Sequence, residues 1–401
     1  MSKLDELIQQ YCPDGVEWKP LGTYLSYEQP AKYIVKSTKY DNNFPTPVLT
    51  AGQSFILGYT KETTGLFEAS KEKPVIIFDD FTTSFHWVEF SFKVKSSAMK
   101  MLRPIGKNIV LFRYLYYCMK SINYVPGDHT RQWIGTYSLF EIPVPPLPVQ
   151  EEIVRILDKF TELQAELQAE LQKRKQQYNY YLDNLLNFNR GGYQTEVRWM
   201  KMSDIGTFYS GLSGKTKEDF QNGNAKFISY VNIFNNPSLN TDVDDRVRIL
   251  EGEKQNTIQY GDLLFTGSSE TPDECGMCSV LTHHTDEKLY LNSFCFGFRF
   301  NDLSGINPEF MKFLFRSSAI RKLICKTANG VTRFNISKKE FAKIVIPIPS
   351  LNEQNNIASV MDKFYLLVGD LSSGLPAEIE KRRRQYEYYR DKLLSFKRKN
   401  A

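Results

Sequence analysis

The chain has 401 residues, of which 41% are hydrophobic and 14% aromatic, and this composition is typical of a globular protein with two or three domains. Its apolar runs are far shorter than the ~20 residues that a membrane-spanning helix needs, and charged residues stand at the start, where a signal peptide would be apolar. We therefore expect a cytoplasmic protein that does not enter the membrane. The net charge of +5 permits a polyanionic partner without requiring one.

The first predicted element is the tail of a helix. The stretch "LDELIQQYCPDGVEW" (Leu4–Trp18) echoes "LDNLLNFNRGGYQTEVRW" (Leu182–Trp199), which leads out of a long helix in the middle of the chain. We expect residues near Leu4 to pack beside the end of a second long helix at the C-terminus. The chain would then close as a pseudo-two-fold ring.

Two unlike strand-rich segments alternate with the two predicted long helices. Each segment opens with a tryptophan and a glycine, in "VEWKPLG" and "VRWMKMSDIG". Stretches such as "KPVIIFDDF" and "LYLNSFCFGFRF" alternate β-branched and aromatic residues between turn signals. This pattern predicts mixed, strand-rich α/β domains.

The flanks of the two segments are repeated. "FEIPVPPLPVQEEIVRILDKF" (Phe140–Phe160) returns as "KIVIPIPSLNEQNNIASVMDKF" (Lys343–Phe364), and "KRKQQYNYYLDNLLNF" (Lys173–Phe188) returns as "KRRRQYEYYRDKLLSF" (Lys381–Phe396). Matching residues are 204 apart in the first block and 208 apart in the second, so the second copy has gained four residues. Each copy predicts a long helix that comes after a proline-rich strand exit.

A four-residue repeat, "TELQAELQAELQ" (Thr161–Gln172), lies within the first long helix. Because an α-helix has 3.6 residues per turn, leucines at this spacing drift by about 40° per tetrad and make a poor continuous seam. We interpret the tetrads as a device that sets the length of the helix. The second helix contains Gly374 and Pro376, which predict a kink near residues 374–376.

No catalytic constellation is evident. "SGKT" (Ser213–Thr216) lacks a glycine that a phosphate-binding loop requires, because Tyr209 occupies its position. "NNPS" (Asn235–Ser238) is a distant echo of an adenine methyltransferase motif, but no glycine-rich cofactor loop precedes it. Asp79 and Asp80 would point to opposite faces of a strand, which makes them poor joint metal ligands. We predict no catalytic residue.

A zinc site is the metal hypothesis that the sequence raises. Cys275 and Cys278 have the spacing of a ligand pair, and His283, His284 and Cys295 lie nearby. A compact second pair is missing, so buried thiols in a strand-rich region are the favoured interpretation. No metal ligand is predicted.

The repeated blocks and the tetrads, together with "GDLLFTGSSETPDECGMCSV" (Gly261–Val280) and "RFNISKKEFAKIVIPIP" (Arg333–Pro349), resemble specificity (S) subunits of type I restriction–modification systems. They are most similar to the type IC-like subclass, which has tetrad repeats. The resemblance implies an α/β fold in which two mixed strand-rich target-recognition domains are joined by two long antiparallel helices, a coiled-coil spacer with an internal pseudo-two-fold duplication. The expected bounds are residues 1–147 and 191–350 for the recognition domains, 148–190 for the central helix and 351–401 for the C-terminal helix.

The resemblance also implies an assembly. Each recognition domain would read one half of a bipartite site in double-stranded DNA, and the chain itself would be neither an enzyme nor a cofactor-binding protein. Two methyltransferase (M) subunits would dock on the helices and bring S-adenosylmethionine, and restriction (R) subunits would add ATP- and Mg²⁺-dependent translocation and cleavage. The side chains expected to form the spacer and bind these partners are Leu163, Leu167, Leu171, Tyr178, Phe364 and Tyr386.

Contacts to DNA are predicted from side-chain chemistry. Planar polar groups read bases, and Lys, Arg, Ser and Thr on loops hold phosphates. Polar clusters of this kind are "TAGQS", "DHTRQW", "TGSSET" and "NGVTRFN", for which a turn or capping role is the alternative. The candidate DNA-binding residues are Gln53, Arg131, Gln132, Ser268, Ser269, Thr332 and Arg333.

Two other classes of function stay open at this point. A DNA methyltransferase or nuclease with a divergent active site would need a cofactor loop that the sequence does not offer. A coiled-coil adaptor that binds only protein would leave the two unlike strand-rich domains unexplained. Salt-dependent DNA binding by the isolated chain would separate the adaptor from the DNA-binding classes.

Overall fold

The computed structural model describes residues 2–52, 54–106, 110–188, 197–369 and 374–399. The chain divides into two compact units, the first formed by residues 1–167 and 379–401 and the second by residues 168–378. The first unit therefore contains both ends of the chain.

The α-helices range from a single turn to the 39 residues of the longest helix. In chain order they are α1 (Lys3–Tyr11), α2 (Phe112–Ser121), α3 (Gln132–Gly135), α4 (Leu147–Leu185), α5 (Met202–Ile205), α6 (Tyr230–Asn235), α7 (Pro308–Leu314), α8 (Ser318–Cys325), α9 (Lys338–Phe341), α10 (Leu351–Gly369) and α11 (Leu375–Leu393). Pro376 lies in the first turn of α11, where its missing N–H is tolerated. Residues 370–373 lie outside the described residues, so the predicted kink near residues 374–376 stays a prediction.

The β-strands are short, as expected from the frequent turn signals. In chain order they are β1 (Glu17–Pro20), β2 (Leu25–Glu28), β3 (Thr46–Leu49), β4 (Ile56–Thr60), β5 (Val75–Asp79), β6 (Phe85–Val88), β7 (Lys93–Val94), β8 (Met99–Pro104), β9 (Glu141–Val144), β10 (Arg198–Lys201), β11 (Gly206–Ser210), β12 (Ala225–Ile228), β13 (Arg246–Val247), β14 (Leu263–Thr266), β15 (Ser268–Ser269), β16 (Cys278–Val280), β17 (Leu289–Leu291), β18 (Cys295–Phe300), β19 (Ala328–Asn329), β20 (Phe334–Ile336) and β21 (Val345–Ile348).

The first unit contains two sheets and a two-stranded ladder. The larger sheet is antiparallel with strand order β2-β8-β5-β6, and its centre is buried, since Ile76 of β5 pairs with Leu102 of β8 and both are inaccessible to solvent. The smaller sheet has the order β4-β3-β7, with β3 and β7 parallel. The ladder β1-β9 leads directly into α4.

The second unit repeats this topology strand for strand. Its larger sheet has the order β11-β18-β14-β16, and its smaller sheet has the order β13-β12-β17, in which β12 and β17 are again parallel. The ladder β10-β21 leads into α10 as β1-β9 leads into α4. The second unit also has a small sheet with the order β15-β20-β19. The predicted α/β fold with two strand-rich domains, long helices and an internal duplication is confirmed.

A buried glutamine fastens each domain to the start of its helix. Gln150 accepts the N–H of Leu111 at 2.9 Å and donates to the carbonyl of Pro145 at 2.7 Å. In the second unit Gln354 accepts the N–H of Asn307 at 2.8 Å. It donates to the carbonyl of Pro349, which lies just before α10, at 2.9 Å. Both glutamines are fully buried. One of the identities in the repeated blocks therefore has a defined physical role.

An aspartate two turns further along each helix makes a second attachment. Asp158 accepts from the guanidinium of Arg113 at 2.7 Å and from the hydroxyl of Tyr117. Asp362, its counterpart 204 residues later, accepts from Nζ of Lys312 at 2.6 Å. The repeated carboxylate is kept, although the partner cation differs.

Aromatic pairs join the long helices within each unit. In the first unit Phe160 of α4 stacks on Tyr389 of α11, with ring centroids 5.6 Å apart. In the second unit Tyr181 of α4 stacks on Phe364 of α10 at 4.9 Å. Each unit thus holds a segment of α4 against a segment of the C-terminal helices.

The expected packing of the N-terminus beside the end of the second long helix is confirmed within the first unit. Leu4 of α1 and Leu394 after α11 belong to the same buried core. Val16 donates its N–H to the carbonyl of Lys397 at 2.9 Å and accepts from the N–H of Lys399 at 2.9 Å. Residues from both ends of the chain thereby complete one hydrophobic core.

Candidate nucleic-acid interface

A buried carboxylate organises the end of β5 in the first unit. Asp80 comes directly after β5 and is 0% exposed, and its Oδ2 lies 2.9 Å from Nζ of Lys100, which is 1% exposed. Its Oδ1 accepts the N–H of Trp133 at 2.9 Å, and its carbonyl accepts the N–H of Gln132 at 2.8 Å. Because a buried charge needs a partner, Lys100 balances Asp80 while Asp80 fixes the backbone at the start of α3.

Arg131 is held by the same carboxylate but stays accessible. Its Nη1 lies 3.6 Å from Oδ2 of Asp80, and 55% of its side chain is exposed. Its guanidinium is 6.0 Å from the ring of Phe81, which stacks on His129 with ring centroids 4.5 Å apart. A guanidinium that is attracted to a carboxylate on one side and is open on another is suited to contact a base or a phosphate. We call Asp80, Lys100 and Arg131 the Asp80 cluster.

Gln132 is 2% exposed, unlike its neighbour Arg131. Its Oε1 accepts from the hydroxyl of Tyr124 at 2.8 Å, and its Nε2 donates to Asp128 and to the carbonyl of Thr130, both at 3.1 Å. Both ends of the amide are therefore used to order the loop before α3. A base contact by Gln132 would first have to break these bonds, so its burial does not support the prediction that it reads a base.

The predicted residue Gln53 lies outside the described residues. The carbonyl of its neighbour Gly52 lies within hydrogen-bond distance, 2.9 Å, of Nε2 of His86. The ring of His86 in turn stacks on Phe55, with centroids 4.6 Å apart. A DNA contact by Gln53 stays a prediction.

Four of the predicted residues converge in the second unit. Ser268 and Ser269 form β15, which pairs with β20, and β20 begins directly after Thr332 and Arg333. Nε and Nη2 of Arg333 donate to Oγ of Ser268 at 3.2 and 3.1 Å. All four residues line an open cleft of about 560 Å³, which we call the Arg333 cleft.

Other walls of this cleft come from residues that sequence reasoning missed. They include Tyr230, Val231, Glu270, Glu274, Asn292 and Phe294. Phe294 is 60% exposed although it lies in the turn between two buried strands, and this exposure depends on tertiary packing that no local pattern reports. Glu270 lies within the "TGSSET" cluster and Glu274 three residues after it, but neither is a candidate for a phosphate contact because a carboxylate repels a phosphate.

Each of the exposed arginines Arg131 and Arg333 contacts a residue that closely follows one of two equivalent strands, β5 and β14. The neighbours of β5 are β8 and β6, and those of β14 are the corresponding strands β18 and β16. Arg131 is held by Asp80, the residue after β5, and Arg333 is held by Ser268, two residues after β14. Each arginine comes directly after a threonine, and the two Thr-Arg pairs are 202 residues apart. This repeated dipeptide is the sequence signal that could have linked the two sites.

The predicted spacer side chains lie on the long helices and differ in exposure. They are Leu163 (40% exposed), Leu167 (half-buried), Leu171 (buried) and the half-buried Tyr178, Phe364 and Tyr386. Tyr178 packs against the core of the second unit and Tyr386 against that of the first. The aromatic members thus fasten helix to domain, whereas Leu163 leaves apolar surface open.

The cysteines of the zinc hypothesis are buried. Burial raises the pKa of the Cys278 and Cys295 thiols to about 12, whereas a thiol must lose its proton to bind zinc. Within the described part of the chain, no group of three or more His, Cys, Asp or Glu side chains is placed to hold a metal ion. Among the helices that the structure describes, none is long and apolar enough to cross a membrane.

Comparison with known proteins identifies relatives over the whole chain. Residues 27–174 and 195–381 match the model of the family described as type I restriction modification DNA specificity domain. The specificity subunit of the type I restriction enzyme EcoR124I/EcoR124II from Escherichia coli is 41% identical over 418 residues, which cover 99% of this chain and 97% of the relative. A putative type I restriction enzyme specificity subunit from Haemophilus influenzae is 29% identical and covers 95% and 96% of the two chains.

Solved structures share the fold at low identity. The S subunit of a type I restriction–modification system from M. genitalium has a TM-score of 0.54 at 12% identity, with 95% of this chain and 96% of that chain covered. A chain from a structure on complex assembly and conformational transition of the type I R-M system has a TM-score of 0.57 at 14% identity, with 95% and 98% covered. At these identities the likeness concerns the fold alone.

Proposed function

The chain belongs to the family of type I restriction–modification DNA specificity domains, and on this premise we propose that it is the non-catalytic subunit that selects the DNA target. Each strand-rich domain reads one half of a bipartite site in double-stranded DNA, and the long helices set the gap between the halves. The observation that carries this proposal is the repeated strand order with unlike chemistry at equivalent positions, the Asp80 cluster in one unit and the Arg333 cleft in the other.

The proposed DNA contacts are assigned from exposure. Arg131 and Arg333 are exposed, the first near a carboxylate and the second hydrogen-bonded to a serine, so they are the candidates for direct contact. Ser268 and Gln132 are buried and act by positioning, the first on an arginine and the second on a loop. Thr332 is exposed at the rim of the cleft and stays a candidate for contact with the DNA.

The partners are proposed from the family. Two M subunits that carry S-adenosylmethionine dock on the long helices, and R subunits supply ATP- and Mg²⁺-dependent translocation and cleavage, all in the cytoplasm. Exposed leucines on these helices, namely Leu163, Leu366 and Leu367, offer apolar surface for such docking. The domain bounds given from the sequence, residues 1–147, 148–190, 191–350 and 351–401, are retained as part of this proposal.

The helical ruler makes a quantitative prediction. Deleting Ala165–Gln168 removes one tetrad from α4, which shortens the helix by about 6 Å and rotates its remaining C-terminal part by about 40°. One base pair of B-DNA advances ~3.4 Å and turns ~34–36°. We expect the deletion variant to keep both half-sites and to shorten the unread gap by one or two base pairs. An unchanged gap with full activity would show that the tetrads only serve packing.

The proposal is tested by mapping methylated adenines in the DNA of a strain that expresses this chain with its M partner. We expect a two-part motif that disappears when this chain is removed, and no methylation or cleavage of DNA by the purified chain alone. Methylation by the pure chain would favour the enzyme class instead. A chain that shows no salt-dependent affinity for DNA, alone or with its partner, would favour the adaptor.

A further inference from the structure

The Arg333 cleft has the wrong charge for a phosphate site. Its lining contains the guanidinium of Arg333 and the carboxylates of Glu270 and Glu274, so acids outnumber the base. Both acids are exposed and are free to meet a ligand. A phosphate in this cleft would be repelled by two carboxylates, whereas a base edge that carries an amino group would be attracted.

Each of the two opposite charges is bound by one of two successive serines. Ser268 accepts from Nε and Nη2 of Arg333, and Ser269 donates to Oε2 of Glu274 at 3.3 Å. The backbone of Ser268 is fixed in turn, because its carbonyl accepts from the hydroxyl of Tyr230 at 2.8 Å. The anchored guanidinium and carboxylate therefore need little reorganisation when a ligand arrives.

The anchor leaves one edge of the guanidinium for a ligand. Guanidinium has five N–H donors, and the bonds to Ser268 use the Nε side of the group. The edge formed by Nη1 and the second N–H of Nη2 is the fork that matches two acceptors at once. Phe294 lies 5.7 Å from the guanidinium and, with the exposed Val231, gives the cleft an apolar rim.

We propose that the Arg333 cleft reads one G·C base pair through the major groove. Arg333 donates to O6 and N7 of guanine, and Glu274 accepts from the N4 amino group of the paired cytosine. Both charges line the same cleft, and O6 and N4 lie on the edge of the same base pair. This inference rests on the proposed function and adds a base pair and its two readers to it.

The test compares substitutions in the full chain, assembled with its M partner, by methylated motif and by affinity for the parent duplex. Arg333→Ala and Arg333→Lys should both weaken binding by roughly 5- to 150-fold and relax one G·C position in the second half-site. Lysine keeps the charge but lacks the fork, so its failure separates base reading from charge alone. Glu274→Ala should relax the same base pair, and Ser268→Ala should cause a smaller loss because it removes only the anchor.

The matched control is Arg198→Ala, which removes an exposed arginine of the second unit that lies on β10 and does not line the cleft. Its motif and affinity should equal those of the parent. Full activity of Arg333→Lys, an equal loss on all duplexes, or relaxation of different base pairs by Arg333→Ala and Glu274→Ala would each overturn the inference. In those cases the parent still reads a two-part motif, whereas a parent without such a motif would refute the proposed function itself.

Discussion

The two units share a scaffold and differ where we place their DNA contacts. Strand order, the parallel pair in the smaller sheet and the buried glutamine at each helix entrance recur in both. At the equivalent ends of β5 and β14 the chemistry changes, because Arg131 is held by a buried carboxylate and Arg333 by a serine hydroxyl. A duplicated chain that keeps its attachments and changes its binding groups gains a second specificity without losing its architecture.

The largest difference between the units should be in the loss of stability when Asp80 or Ser268, the residues that contact these arginines, is substituted. Asp80→Asn leaves Lys100 buried without a counter-charge, which should lower the free energy of unfolding of the first unit by about 3–5 kcal/mol. Ser268→Ala, the matched change in the second unit, removes the hydroxyl that accepts two hydrogen bonds from an exposed arginine and should cost only about 1 kcal/mol.

Urea unfolding followed by tryptophan fluorescence measures the Asp80→Asn effect. Trp18, Trp87 and Trp133 belong to the first unit, and only Trp199 to the second, so the signal reports mainly on the unit that carries Asp80. Equal small losses for Asp80→Asn and Ser268→Ala would mean that the Asp80 cluster does not support the fold.

A second prediction addresses the shared attachment. Gln150→Ala and Gln354→Ala each leave at least two backbone groups without their side-chain partner, which should destabilise the affected unit by about 2–4 kcal/mol. Hydrogen exchange should show faster exchange of the Leu111 amide in the first variant and of the Asn307 amide in the second. Exposed Gln172 serves as the control, since Gln172→Ala should change neither amide. Exchange that rises in both units for either variant would contradict independent attachments.

A smaller difference between the units is expected in how their stability depends on pH, because of a glutamate near the start of α4. Hydrogen bonds from Arg155 and from Lys3 lower the pKa of Glu152 from its ordinary value of 4.5 to about 2. Because the pKa is lower in the folded state, Glu152 stabilises the first unit above pH 4.5, and this contribution is lost as the pH falls towards 2. The equivalent residue in the second copy, 204 positions later, is Asn356, which cannot titrate.

Thermal unfolding between pH 6 and pH 2 tests this difference. Glu152→Gln should be less stable than the parent at pH 6, and the gap between the two should close as the pH approaches 2. Asn356→Ala provides the comparison in the second unit, where the gap should not depend on pH. A constant gap for Glu152→Gln would show that its ion pairs do not contribute.

The residues that attach each domain to its helix could be predicted from the sequence, whereas the proposed DNA-binding surfaces could be predicted only in part. Gln150 and Asp158 sit in blocks that recur 204 residues later, so their shared role can be inferred from the duplication. Arg333 and Ser268 are both predicted from residue type, but their hydrogen bond joins residues 65 apart, and no local pattern predicts that approach. The sequence raises Asp80 only as a metal ligand, whereas the structure gives it Lys100 as its partner.

Gln132 is a predicted DNA-binding residue whose burial could not be inferred from its residue type. Its residue type and its place in a polar cluster predict an exposed base reader, yet it is buried by bonds to Tyr124 and Asp128. Exposure is set by how a loop folds back on the domain, and polar composition alone does not determine it. Tertiary contacts therefore decide which of two neighbouring polar residues, Arg131 or Gln132, can meet DNA.

The central claim is that the two units read separate halves of one target. The direct measurement is the methylated motif after residues of about 20–140, the strand-rich domain of the first unit, are exchanged for those of a homologous chain. We predict that one half of the motif changes, while the other half and the gap stay as in the parent. A change in both halves, or in neither, would contradict the account.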